Sequence, residues 1–458
     1  MRGGSGETVT APERPTRGLG GGLAGWPLVT SVVLAVFSLV PVFLVSALAP
    51  QIRADIAMTE GHLGIAVSAF FAASAAGNLG LGPVSDRFGG VRMIRLFSLP
   101  STCALGYIAA GAHSWVTVSV ALAVAGLANG GVQTAANAVL MHSIGAASQG
   151  LAFGMKQAAV PAATLLGGLA VPAVGITVGW RWGFAGAAVC SLLLGQFLPR
   201  ATRSRYPGLR RGQARRSAAS AATTTSAVGA VADQERMARR AGMPRLFTMA
   251  VGAVLSSWAA NCIGAFFVLA ATDAGVGEVT AGMLIILGGL SSLVVRVLAG
   301  YLGGRQRRGH VYGVAALVAV GTLGYLLMAT MRPWLMAPAV VIAYGAGWGW
   351  MGLLAFAAAR RFPLTPGWAT GVVQSGAALG GSLGPLAFGF AVIRFGYQWA
   401  WTAVAAVNCV GAAVLVLAGR GAGDLPAAPV PATAPTGAPA TTPTTTPGAT
   451  PTPSASPG

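Results

Sequence analysis

The stretch GMKQAAVP, residues 154–161, sets an ammonium group, Lys156, inside a run that is otherwise small and apolar. Between residues 143 and 199 the only other charge is Arg181, in a chain whose basic residues are overwhelmingly arginine. A second cation, Arg296, sits in the apolar run LIILGGLSSLVVRVLAG, one turn before Gly300. Charges placed this way are costly unless they face a wet cavity or a partner, so they mark candidate ligand sites. No carboxylate is set to balance them. Of the ten acidic residues, Glu7, Glu13, Asp233, Glu235 and Asp424 fall in polar stretches. Asp55, Glu60, Asp273 and Glu278 fall at the ends of apolar runs, and Asp86 lies in a short basic loop. Two interior cations without an interior anion suit an anionic ligand and leave a cation-binding cavity without its counter-charge. Polar residues flank them at helical spacing: Gln157 and Thr164 beside Lys156, Ser292 one turn from Arg296, and Asn129, Gln133 and Asn137 four apart on one face. Two plainer readings stay open. A lysine near a helix end can snorkel to the headgroups, and Asn, Gln and Ser often serve as hydrogen-bond glue between helices.

The elements that carry these residues follow from composition. The chain has 458 residues, 54% hydrophobic and only 9% charged, with a mean hydropathy of +0.69. Soluble domains carry about 25% charged residues, so the expected class is an all-α, multi-spanning membrane protein. Apolar segments of ~20 residues, the length that crosses a bilayer as helix, are expected near 27–49, 62–83, 95–113, 115–140, 150–176 and 180–198. A second six is expected near 246–271, 279–303, 311–331, 334–358, 369–393 and 397–418. The resulting division is an N-terminal tail (1–26), a six-helix bundle (27–198), a basic linker (199–245), a second bundle (246–418) and a tail rich in Pro, Thr and Ala (419–458). The linker holds eleven arginines and reads as flexible, and the tail reads as disordered.

The formal charge of +19 has no basic stripe interleaved with aromatics, so no nucleic-acid partner is expected. On this topology only Arg53, Arg181, Arg332 and Arg394 face the side opposite the termini. That bias places both termini and the linker in the cytoplasm, in a plasma-membrane protein. Cys103, Cys190, Cys262 and Cys409 form no metal or disulfide pattern, and His62, His113, His142 and His310 are scattered, so no metal, no cofactor and no enzymatic activity are expected.

The two sixes also match each other. A shift of 218 places Asp55 on Asp273, Gly64 on Gly282, Gly82 on Gly300 and Arg87 on Arg305. A shift of 217 places Gly154 on Gly371, Gln157 on Gln374, Gly167 on Gly384 and Trp182 on Trp399. The position matching Gln133 is Trp350, with Tyr344 and Trp348 nearby, aromatics that would wall a cavity or pack helices. The pattern is that of a duplicated six-helix unit in parallel orientation.

After the second apolar segment comes GPVSDRFGGVR, residues 82–92. This resembles the loop signature of the major facilitator superfamily, roughly G-x-L-a-D-R-x-G-R-R. Gly82, Asp86, Arg87 and Gly89 match, Arg92 lies just beyond the pattern, and Gly90 and Val91 depart from it. The second copy keeps Gly300 and Arg305 but has Gly304 where the acid would be. The resemblance implies twelve helices in two pseudo-symmetric bundles, rocker-switch alternating access, and a one-sided latch formed by these residues. The short pattern R-x-x-x-G at Arg296 is similar to the carboxylate-binding arginine of monocarboxylate transporters and oxalate–formate antiporters. Together these readings predict a monomeric transporter of a small organic or inorganic anion, with Lys156, Gln157, Arg296, Asn129, Gln133, Gln374 and Trp350 at the substrate. The alternative is a multidrug or metabolite exporter of the same superfamily, although VPAATLLGGLAVP matches the G-x-x-x-G-P-x-x-G-G antiporter signature poorly. A polytopic membrane enzyme would need constellations the chain lacks, and a receptor of the same fold differs only in the absence of flux.

Overall fold

A computed structural model describes residues 26–88, 90–143, 155–197, 225–305, 309–362 and 366–420. Among them there is no strand. The helices are α1 (Trp26–Ala47), α2 (Ala49–Ile56), α3 (Glu60–Phe88), α4 (Gly90–Gly111), α5 (Trp115–Ser143), α6 (Ala159–Ala170) and α7 (Trp180–Phe197). They continue as α8 (Thr225–Asp273), α9 (Glu278–Arg305), α10 (His310–Ala329), α11 (Met336–Gly349), α12 (Met351–Arg361) and α13 (Pro366–Gly419). Helix is the required answer for chain this apolar, because hydrocarbon offers no partner to a free N–H or C=O. Large apolar side chains stay exposed along the helix flanks, among them Val120, Val124, Val294, Val297, Phe390 and Trp399, as a surface facing lipid would be.

Nine helical stretches of the described residues are long and apolar enough to span a bilayer, and the bent pair Ala49–Ile56 and Glu60–Asn78 makes a tenth. Part of the shortfall from twelve is a matter of continuity. The stretch Trp368–Gly419 counts once at 52 residues, yet ~78 Å of straight helix would overshoot any bilayer. It breaks at Gly396, whose φ of 79° lies in the left-handed region that glycine adopts freely. α8 is likewise longer than a membrane is thick; it begins at Thr225, inside the segment read as linker, and only Gly242–Asp273 is apolar enough to span.

Close packing within each half relies on small residues. In the second half Gly376, Gly380 and Gly384 of α13 lie against the backbone of Ala250, Val254 and Trp258 of α8, one turn apart on both helices. This approach buries area without a large side chain, which is how helices associate where lipid and protein are equally apolar. The halves meet by the same means, and the meeting obeys the repeat. A Cβ on Gly64 (α3) would lie 2.5 Å from the Pro385 carbonyl oxygen (α13), and one on Gly282 (α9) 3.0 Å from that of Gly168 (α6). Gly64 corresponds to Gly282 by the shift of 218, and Gly168 to Pro385 by 217. The two contacts are therefore one contact made twice.

These seams lie toward the end of the bundle that holds the connections 47–60, 111–115 and 273–278, hereafter the loop end. There Gln51 donates to Glu278 across the halves at 3.0 Å. Arg181 bridges Asp55 and the Ala112 carbonyl within the first half.

Candidate functional site

Lys156 is buried, and it stands on the helical turn that leads into α6. Its Nζ donates to Asn137 Oδ1 at 2.7 Å and lies 3.5 Å from the Gln133 carbonyl, both on α5. The lysine therefore points into its own half, toward the polar stripe. Further along that stripe, Asn129 joins three helices. Its Nδ2 donates to Ser74 Oγ of α3 at 2.7 Å, and its Oδ1 accepts from Ser38 Oγ of α1 at 2.8 Å and from Gln133 Nε2 at 3.3 Å. A membrane-buried asparagine held from both ends of its amide is a rigid tie between helices. Ser38 and Ser74 had no distinguishing signal in sequence: single serines in apolar spans are common, and only the fold aims these two at Asn129.

Arg296 comes from the other half. On α9, its Nε faces Ser292 Oγ at 3.3 Å, its Nη1 donates to the Gln157 carbonyl at 2.9 Å, and its Nη2 to the Trp348 carbonyl at 3.1 Å. The first carbonyl is available for a reason legible in the sequence. In an α-helix the oxygen of residue 157 would accept from the N–H of residue 161, and residue 161 is proline, which has none. The second belongs to the last turn of α11, beside the break between α11 and α12. Arg296 thus occupies carbonyls that irregular backbone leaves over, and in doing so ties α9 to α11 and to the turn that leads into α6.

All these acceptors are neutral. The ion pairs among the described residues are Arg53–Glu60 and Arg181–Asp55, both at the loop end. An ammonium has three N–H donors and a guanidinium five, so Lys156 and Arg296 each keep donors beyond those the protein engages.

The other expected residues fall elsewhere. Trp350 is buried in the core of the second half with Leu246, Met249 and Val314, and its indole N–H bonds the Gly347 carbonyl of its own segment at 2.8 Å. Gln374 is exposed on α13 and has no bond to the two cations. Trp348, by contrast, reaches the centre. Its ring packs on Phe43 of the first half at 5.9 Å between centroids and on Tyr344 at 5.4 Å, and its buried indole N–H has no partner among the described residues. Of the latch residues, Gly89 lies outside the described residues, as do the side chains of Asp86, Arg87 and Arg305 and the surroundings of Gly82. Arg92 and Gly300 are exposed.

The model of the Major Facilitator Superfamily matches residues 28–367, nearly three quarters of the chain. The chain belongs to the Major Facilitator Superfamily. A comparison with curated proteins finds no sequence match. The fold is similar to that of a bacterial homologue of the human lysosomal transporter Spinster in an inward-facing, occupied conformation. That likeness has a TM-score of 0.63 and 15% identity over 86% of this chain and 96% of that one. It is also similar to a point mutant of the nucleoside transporter NupG, with a TM-score of 0.63 and 12% identity over 86% of this chain and 99% of that one. These likenesses establish the fold. As a superfamily member the chain is a multi-pass membrane protein and a secondary transporter, with a small molecule as its cargo.

Proposed function

We propose that this superfamily member transports a small organic or inorganic anion by alternating access, with Lys156 and Arg296 as the groups that receive it. The observation that carries the reading is the pair's environment: two cations from opposite halves, engaged only by neutral acceptors, with Arg296 bonded to the backbone of the residue next to Lys156. An anion entering here would gain charge-assisted hydrogen bonds from donors already desolvated. It would also displace the bond from Arg296 to the Gln157 carbonyl, releasing one link between the halves. Gln157 contributes that carbonyl, while Asn129 and Gln133 hold α5 in place behind the lysine.

The aromatic cluster in which Trp348 packs on both Phe43 and Tyr344 favours a second reading, an exporter of larger apolar solutes that sit against these rings. One measurement separates the two. Lys156 is the only lysine in the chain, so an amine-selective reagent, with the N-terminus blocked, reports on this one side chain. On the anion reading, small carboxylates or inorganic anions should slow its modification in proteoliposomes and drive counterflow. Protection by neutral or cationic drugs alone, with no anion flux, would replace the first reading with the second.

A further inference from the structure

The indole of Trp348 stands beside Arg296 yet takes no part in the bonds that hold the two cations. Arg296 Nη2 donates to the backbone carbonyl of this same residue at 3.1 Å, which places the indole within one side chain's reach of the guanidinium. The ring is 3% exposed, and its N–H has no acceptor among the described residues. Gly264 of α8 admits the ring: a Cβ at 264 would lie 2.7 Å from the benzo edge of the indole. Phe43 of the first half and Tyr344 of its own helix pack against it.

A buried N–H left unmade costs free energy, and a ring whose only task was to fill space would not need to carry one. Trp350, two residues on, gives its N–H to the Gly347 carbonyl. The N–H of Trp401 also lacks a partner among the described residues, but that ring packs between Tyr325 and Phe388 inside the second half. Trp348 differs in touching both the opposite half and, through its carbonyl, the cation. The groups left over around the cations share one polarity. Lys156 and Arg296 keep N–H donors beyond those the protein engages, and Trp348 adds an uncharged one. A ligand that answers all three presents acceptors in two places, an anionic group for the cations and a neutral acceptor for the indole. The repeat supplies no second such donor. A shift of 217 matches Trp348 to Gly131, so the donor stands on one side of the site only.

We propose that Trp348 is a specificity-determining residue of the central site, donating its indole N–H to an uncharged acceptor on the substrate. The substrate is then an organic acid with such an acceptor, of which a keto oxygen is the simplest, close to its carboxylate. The inference rests on the anion reading above and narrows it. Phe43 belongs to the opposite half, so parting of the halves uncovers the N–H, and the substrate makes the bond that the protein alone leaves unmade. An acid without the acceptor leaves the donor unanswered, and one with an ammonium in its place sets donor against donor.

The test compares three acids built on one phenyl ring, phenylglyoxylate, phenylacetate and phenylglycine, by calorimetric titration of the purified full chain. Phenylglyoxylate should bind about tenfold more tightly than phenylacetate, the worth of one buried hydrogen bond, and phenylglycine should bind least. Trp348→Phe keeps a ring and removes the N–H, so it should bring phenylglyoxylate and phenylacetate to within about twofold of each other. A ring that only packs would weaken both acids together and keep their ratio. Equal affinity of the parent protein for these two acids overturns the proposal without any variant having to fold, and so does a preference that survives in Trp348→Phe. Both results leave the anion reading standing, as does binding of inorganic anions with neither aromatic acid bound, which also overturns the proposal. Failure of every anion to bind removes both readings together.

Discussion

Lys156 and Arg296 differ in what their removal should do, because one serves its own half and the other joins the two. Lys156→Gln removes a buried charge that costs roughly 2.5–3.5 kcal/mol by insertion scales and keeps a donor for Asn137. Folding should be preserved, while anion affinity should fall by about ten- to a hundredfold, or ~1.4–2.8 kcal/mol. Lys156→Arg should recover part of that affinity for a carboxylate. Unchanged affinity and flux in the Gln variant would return the lysine to a snorkelling role. Arg296→Lys is expected to behave differently: an ammonium cannot span the Gln157 and Trp348 carbonyls in the forked geometry of a guanidinium. The released carbonyl should lower the melting temperature of the substrate-free protein as well as weaken the anion, and a variant as stable as the parent would remove the bridging role. The sequence showed that both residues were anomalous. It could not show that one reaches the backbone beside the other, because that depends on α9 of one half meeting α6 of the other.

At the scale of elements, the seam between α3 and α13 is closed by glycine against backbone. Gly64→Val would place a side chain where the Pro385 carbonyl stands. Overpacking of this kind costs ~1–3 kcal/mol. Here the cost falls only on the state with the loop end shut, which would lower its population by roughly 5–150-fold. Transport should slow accordingly while anion binding to the loop-end-open form persists, and Gly282→Val should reproduce the effect from the matching contact. Normal turnover in both variants would mean that the seam opens and closes without passing through this packing. Helix existence and approximate length were legible from apolar runs. The break at Gly396 was legible only as an interval between two of them, since helical hydrogen bonding runs up to it from both sides.

For the whole molecule, the arginine bias predicts that both termini and residues 199–245 face the cytoplasm. A cysteine introduced at Ser220 should react with an impermeant reagent only after the membrane is opened; labelling from outside intact cells would invert the topology. If the prediction holds, the loop end faces outward, and the structure, with its seams packed there, represents a state shut to the outside.

Composition, apolar period and internal repetition are local or additive properties. They were enough to establish the class of molecule, its all-helical character, its duplicated halves and its superfamily from the order of residues alone. Hydrocarbon allows only helices or closed barrels to satisfy the backbone, and continuous apolar runs of ~20 residues without period-two alternation select the helix. Which helices touch was settled in three dimensions. Asn129 became a tie because Ser38 and Ser74 arrive from two other helices, and Trp350 was drawn into a core while Trp348 reached the centre. Phe43 and Trp348, more than three hundred residues apart in the chain, came to share one contact. Contacts between halves depend on the angle at which two bundles pack, and no short stretch of sequence encodes that angle.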